Sequence, residues 1–288
     1  MSPRGLDACL LAGACLVATW IATAIARRAG LVDDASDAPD RKHHRRPVPL
    51  VGGVALACAL AAWVGVRGVD VVGGPVAFGL SFEARAVLLG AAFAFATGFV
   101  DDVAPGGLSP LAKLIGQTIA GVALAGGLSV DGVPATYAAQ VACVFAAVTA
   151  QNAANTFDNA DGALCGVAAL GFSFASPFAA ALIAFWPFNV LRKSGADTPR
   201  AWLGDAGSHL VGVLLLATPI AWAALVLPLA DLARVIVVRV RAGHPVWRGD
   251  RRHLAHALAD RGLAPVTVVL VLVALAAPAV SIAAWCAR

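Results

Sequence analysis

The chain has 288 residues, 60% of them hydrophobic and 13% charged, with a formal net charge of +4 and a mean hydropathy of +0.81. That balance excludes a soluble globular protein and a nucleic-acid binder and places the chain among integral membrane proteins. Its acid is scarce: one Glu, Glu83, and sixteen Asp, several of them in short polar islands between apolar runs.

Runs near the length that spans a bilayer, about 17–25 residues, read at 7–26, 50–66, 84–100, 110–128, 134–151 and 264–286. The first reads as a span and not a signal peptide, because Asp7 precedes it and Arg27-Arg28 follow as a stop-transfer flank. The six cysteines (9, 15, 58, 143, 165 and 286) lie scattered in apolar contexts and imply neither a disulfide nor a zinc site. Arginines and lysines crowd two loops, one with Arg27, Arg28, Arg41, Lys42, Arg45 and Arg46, the other from Arg234 to Arg261. The positive-inside rule puts both on the cytoplasmic face. Alternation then places 67–83 and 129–133 outside, and 101–109 and 152–162 inside.

Two shorter apolar blocks, 163–191 and 206–230, break the alternation. Basic segments on either side of each belong inside, yet two full spans need roughly forty residues. Half-depth hairpins turning near Pro177 and Pro219 fit, provided protein surrounds them. Single crossings are the alternative, and would carry the GDAGS segment at 204–208 to the outer face. The expected fold is an all-α, polytopic helical bundle of about 8–10 membrane segments, some re-entrant, forming one domain over residues 1–288 with its polar islands in cytoplasmic loops.

Each island has a plain structural reading beside a chemical one. Loop 37–53, DAPDRKHHRRPVPLVGG, is a basic topogenic loop or a pyrophosphate cradle, with Gly52-Gly53 allowing close backbone approach. Asp101-Asp102 is a helix-end feature, or a carboxylate pair tolerated because a divalent cation or Lys113 stands opposite, with Gln117 one turn on from Lys113. Asn152, Asn155, Asp158 and Asp161 recur every third residue and would line one helical face with amides and oxygens. Asp205 or Ser208 caps a helix, or Asp205 ligates Mg2+ beside a glycine that admits phosphate oxygens. His253 and His256 share a helical face, a weak signal alone.

In order and on one face, these pieces resemble the polyprenyl-phosphate N-acetylhexosamine-1-phosphate transferases. The pieces are D-x-P-D-R-K-H-x-x-x-P-x-P-x-x-G-G at 37–53, G-F-x-D-D at 98–102 with Lys113 and Gln117, and N-x-x-D-x-x-D-G at 155–162. F-N at 188–189, G-D-A-G-S at 204–208, P-L-x-D at 228–231 and H-L-x-H at 253–256 complete the set, about 220 residues in all. The R-K-H and P-x-P form of the first loop is closer to the GlcNAc-1-phosphate branch than to the phospho-MurNAc-pentapeptide transferases. The resemblance implies that Asp101 and Asp102 stand near the phosphate acceptor, one of them deprotonating it, and that Asp205 binds Mg2+, with Mn2+ as substitute. It implies that Asn155, Asp158, Asp161 and Asn189 shape the nucleotide and metal pocket, and that Lys42 and Lys113 line the phosphate cleft. His253 and His256 would then stand near the sugar phosphate. The implied partners are undecaprenyl phosphate, a UDP-sugar and the bilayer of a bacterial inner membrane, with a homodimer open; the lipid phosphate would attack the β-phosphate and expel UMP. Two features depart from the pattern: Ala255 stands where a further His is usual, and blocks 163–191 and 206–230 are short. Rival readings are a cation-coupled transporter, whose acids would sit nearer mid-span, and a non-catalytic relative.

Overall fold

The computed structural model describes residues 2–33, 47–192, 198–245 and 252–287. Helix α1 (Pro3–Ala29) starts on a Ser2 cap and ends at Gly30, which adopts φ +71. A two-residue strand pair, β1 (Val32–Asp33) with β2 (Val48–Pro49), flanks loop 34–46. Then come α2 (Gly52–Arg67), α3 (Ala84–Val103), α4 (Pro110–Ala125) and α5 (Tyr137–Phe157). Ser109 and Thr136 cap α4 and α5 through their hydroxyls, in accord with their sequence positions before the apolar runs.

Four helical stretches are long and apolar enough to cross a membrane: α1, α3, Ala221–Arg241 and Pro265–Cys286. Shorter apolar helices accompany them, α4 among these keeping Leu111, Ile115 and Val122 exposed. At 1.5 Å per residue the 20 residues of α3 cover about 30 Å, one hydrocarbon thickness.

The loops before α3 and after α4 do what an all-α reading does not anticipate. They form a four-stranded antiparallel sheet, β3 (Gly74–Ala77), β4 (Leu80–Phe82), β5 (Leu128–Val130) and β6 (Val133–Pro134), in that order. The β3–β4 turn holds Phe78 at φ 53 and Gly79 at φ 75, and the β5–β6 turn holds Asp131 at φ 50 and Gly132 at φ 79. Two successive positive φ values are what a type I′ hairpin requires. Because β4 pairs with β5, both loops lie on one face, as the alternation of spans demands. The polar ends of α3 and α5 lie at the other.

The two short blocks both turn back. Helices α6 (Ala163–Ala175) and α7 (Ala179–Val190) are 13 and 12 residues long, about 18–20 Å and too short to cross. They meet at Ser176-Pro177, where Ser176 Oγ accepts the Phe178 N–H at 3.2 Å and the Phe172 and Phe178 rings meet edge-on. Protein surrounds the hairpin: α7 packs on α1, and α6 packs on α7 and on α11 (Pro265–Cys286). That burial permits a turn at membrane depth.

Helix α8 (Gly204–Leu216) is buried without a break from Ala206 to Leu215, the pattern of a central helix. It is followed by a turn through Pro219, a 3-10 turn at Ala221–Leu225, and α9 (Val226–Arg241). The turn falls where expected, but the return leg is not half-depth: Ala221–Arg241 makes a 21-residue span candidate. Asp231 stands one residue beyond block 206–230. It is only 4% exposed and inside the helix, held there by donors from α10 (Leu254–Ala259) and the residues just before it.

Candidate active site

Acids at a helix C-terminus oppose its dipole, so Asp101 and Asp102, in the last turn of α3, need donors from elsewhere. Asp102 finds them at the start of α8. Its Oδ1 accepts the Asp205 N–H at 2.9 Å and its Oδ2 accepts the Ala206 N–H at 3.0 Å. One helix thus caps another across 103 residues of sequence. Gly204 makes room for this: it adopts φ +76, and a Cβ there would stand against the Asp102 carboxylate. At Gly98 a Cβ would meet the Asp205 backbone, so α3 and α8 touch main chain to main chain.

Asp101 points the other way. Its Oδ1 accepts the Leu108 N–H at 2.7 Å, and its Oδ2 accepts Lys113 Nζ at 2.9 Å. Lys113 also donates to Asp205 Oδ2 at 2.6 Å. One ammonium on α4 therefore ties α3 to α8 through two carboxylates, and all three side chains keep 14–26% exposure. This cluster is partly exposed and richer in negative than in positive charge.

The every-third-residue run divides. Helix α5 ends at Phe157, so only Asn152 and Asn155 share its face. Asn155 Nδ2 donates to Ser208 Oγ at 3.2 Å, and Ser208 in turn donates to the Asp205 carbonyl at 3.2 Å. Asp158 is the C-cap residue of α5, and its Oδ1 is sealed from solvent with no hydrogen-bond partner. Burial, and then the negative charges of Asp205, Asp161 and Asp102, hold its carboxyl well above the usual carboxylate range.

Asp161 forms an adjoining layer with partners the sequence reading did not name. It accepts Arg192 NH2 at 2.7 Å and Trp202 Nε1 at 3.0 Å. Asn189, 2% exposed, accepts the Gly162 N–H at 2.9 Å and donates to the Ala201 carbonyl at 3.3 Å. These bonds join the start of α6 to the end of α7 and the approach to α8. They are the physical means by which the hairpin returns Asp205 to Asp101.

The Pro-rich loop joins the same layer. Trp202 N–H donates to Pro49 O at 2.9 Å and Gly53 N–H to Leu203 O at 2.8 Å. The close approach foreseen at Gly52-Gly53 is to protein: a Cβ would strike Phe185 and Leu203 at Gly52, and Ala206 and Gly207 at Gly53. Lys42 lies outside the described residues. His253, 4% exposed, is held by Asp231 Oδ2 at 3.1 Å from its Nδ1. The same carboxylate takes the Leu254 N–H at 2.8 Å and Arg234 at 3.2 Å. The His256 ring lies 6.0 Å from that of His253.

No three His, Cys, Asp or Glu side chains gather as a metal cage among the described residues. Mg2+ does not need one, because it commonly takes one or two carboxylates together with substrate phosphates and water. Asp158, with a sealed oxygen lacking any donor, and the partly exposed Asp205 fit that chemistry.

Residues 84–223 match the family model described as glycosyl transferase family 4. The match covers just under half of the chain. No curated protein matches the chain. The family 4 region holds Asp101, Asp102, Lys113, Asn155, Asp158, Asp161, Asn189 and Asp205, while Lys42, His253 and His256 fall outside it. The match supports a membrane transferase of the polyprenyl-phosphate sugar-1-phosphate kind.

Proposed function

We propose that this chain is a family 4 transferase and moves a HexNAc-1-phosphate, GlcNAc-1-phosphate first among the candidates, from a UDP-sugar to undecaprenyl phosphate. UMP is released, and the step opens the synthesis of a cell-envelope polysaccharide. The observation that carries the reading is Lys113, which bridges Asp101 and Asp205 at 2.9 and 2.6 Å, with Asp158, whose Oδ1 has no donor, close enough to feel the charge of Asp205. It is a phosphate-seeking cation inside a carboxylate surplus, at the polar end of apolar helices.

Phosphoryl transfer asks of a protein mainly positioning and charge neutralisation. Asp101 is the base of the pair in this reading. One of its oxygens is held only by the Lys113 ammonium, which an incoming phosphate can draw away, whereas both Asp102 oxygens are held by backbone amides of α8. Asp101 takes the proton of the lipid phosphate. The freed oxygen forms a bond to the β-phosphorus, and the bond from that phosphorus to the oxygen bridging to the α-phosphate breaks, so that UMP leaves with the electron pair. Lys113 exchanges Asp205 for a phosphate oxygen as substrate enters. Asp205 with Asp158 would hold Mg2+, which would supply neutralisation of the pyrophosphate. Asp161 and Asn189 keep the pocket floor in place, and His253, set by Asp231, faces the sugar phosphate. The active face is cytoplasmic, in the inner membrane of a bacterium, and a homodimer is compatible with the broad apolar exterior.

The test is UMP release by the purified protein in detergent with Mg2+, undecaprenyl phosphate and a panel of UDP-HexNAc donors, including UDP-MurNAc-pentapeptide. UMP from one donor, lost in Asp205→Ala, is the expected result. No UMP from any donor, with the protein folded, sinks the reading in favour of a transporter or a non-catalytic relative.

A further inference from the structure

Helices α4 and α8 are joined by two rungs. The outer rung is the Lys113–Asp205 ion pair. The inner rung lies four residues further along each helix, where Gln117 Nε2 is 3.2 Å from His209 Nε2. Gln117 is 1% exposed and His209 is fully buried.

Helix α5 fixes which atom donates. The Val148 carbonyl can only accept, and it takes an N–H from Asn152 Nδ2 at 2.9 Å. That orients the Asn152 amide, whose Nδ2 also donates to Gln117 Oε1 at 2.8 Å. With its oxygen accepting, Gln117 presents Nε2–H to His209. His209 Nε2 must then be a lone pair, and the ring proton of a neutral imidazole sits on Nδ1. Gln151 adds a third tie, donating to the Gln117 carbonyl at 3.2 Å and the Ala147 carbonyl at 3.1 Å.

Polar groups in a bundle interior are costly where partners are missing, and His209 Nδ1 and Gln151 Oε1 both lack one. A leucine at 209 would fill similar space and remove the unpartnered Nδ1, but would leave the buried Gln117 Nε2–H without its acceptor. What leucine would not do is tie α4 to α8, whose own register is held on α3 by Asp102. A slip of one residue turns α4 by about 100° and moves it about 1.5 Å, which takes Lys113 out of reach of Asp205.

We propose that His209 is a positioning residue for the transfer: as the neutral Nδ1–H tautomer it accepts from Gln117, and this inner rung sets α4 against α8 so that Lys113 reaches Asp101 and Asp205 together. The inference rests on the outer rung belonging to the transfer site.

Two measurements test it. In 15N-histidine-labelled protein in nanodiscs, with the His209 signal assigned by its loss in His209→Gln, the ring is expected neutral and protonated at Nδ1. A proton on Nε2 overturns the proposal. This arm reads no activity, so it stands apart from any failure of the UMP assay. In the second arm kcat and KM for UMP release are compared in wild type, His209→Leu and His209→Gln, glutamine offering an acceptor near the place of Nε2 and leucine none. His209→Leu is expected to lower kcat about tenfold, the worth of one hydrogen bond, with the UDP-sugar KM within about twofold. His209→Gln is expected to return kcat to within about threefold of wild type. Equal kcat in the two variants, high or low, overturns the proposal. Should the leucine variant fail to fold, the tautomer alone decides.

Discussion

Two clusters of this molecule are built around buried or half-buried aspartate, and they are finished differently. In the clamp between α9 and α10, one carboxylate, Asp231, meets Leu254 N–H, His253 Nδ1 and the Arg234 guanidinium. Where α3, α4 and α8 meet, Asp101, Asp102 and Asp205 gather around Lys113, with Asp158 close enough to feel the charge of Asp205 and left with a sealed oxygen that nothing donates to. Asp231 has a donor on each oxygen, as a fastener does. The other cluster has more carboxylates than cations and one oxygen without a donor, as the proposed site for a cation and a phosphate would.

If that contrast is right, the two clusters must fail in different observables. Asp205→Ala is expected to lower UMP release by about 10²–10³-fold, the usual loss of a key charge-stabilising group, with thermal unfolding of the substrate-free protein nearly unchanged. Asp231→Ala is expected to do the reverse. It strands a buried imidazole and a backbone N–H, costs about 2 kcal/mol of stability, and lowers activity less than Asp205→Ala does. Equal unfolding losses in the two variants would erase the distinction.

A smaller effect sharpens it through the cation. Asp158 has its pKa raised by burial and by neighbouring carboxylates, so without metal the folded chain keeps a proton that the unfolded chain releases. The stability tied to that proton is complete below the ordinary carboxylate pKa and is lost as pH rises through the raised folded value. A bound cation takes over from the proton in that window. The gain in unfolding temperature on adding Mg2+ is therefore expected to be larger at about pH 7.5 than at about pH 5, and Asp158→Asn is expected to flatten the difference. A gain that is the same at both pH values, in wild type, would detach Asp158 from the metal.

Much of this arrangement was legible before the structure. Span lengths, basic loops and the scarcity of acid gave the bundle, its polar face, and the turns near Pro177 and Pro219. The sheet was missed although A-F-G-L at 77–80 and V-D-G-V at 130–133 carry positive-φ turn chemistry, because spans of strong hydropathy draw attention from four short strands. The burial of Asp231 was not legible, since its neutralising donors come from residues 22 and 23 positions later. Asp102 could not be recognised as the cap of α8 for the same reason at greater distance. His209 was invisible as a network member because it stands inside the apolar run that follows GDAGS, and only packing brings Gln117 and Asn152 to it.

The smallest effect tests how complete the fastener is. Arg234 pairs with Asp231 at 3.2 Å but is 42% exposed, and it also donates to the Arg252 carbonyl. A half-exposed arginine holds a carboxylate in competition with water, so such pairs are worth about 0–1 kcal/mol. Arg234→Ala leaves Asp231 its two inner donors, Leu254 N–H and His253, and is expected to shift unfolding far less than Asp231→Ala. If the two variants unfold alike, the guanidinium and not the buried hydrogen bonds is what holds α10 to α9. The clamp would then resemble the partly exposed Lys113 bridge, and the contrast between fastener and site would have to rest on the unpartnered oxygen of Asp158 alone.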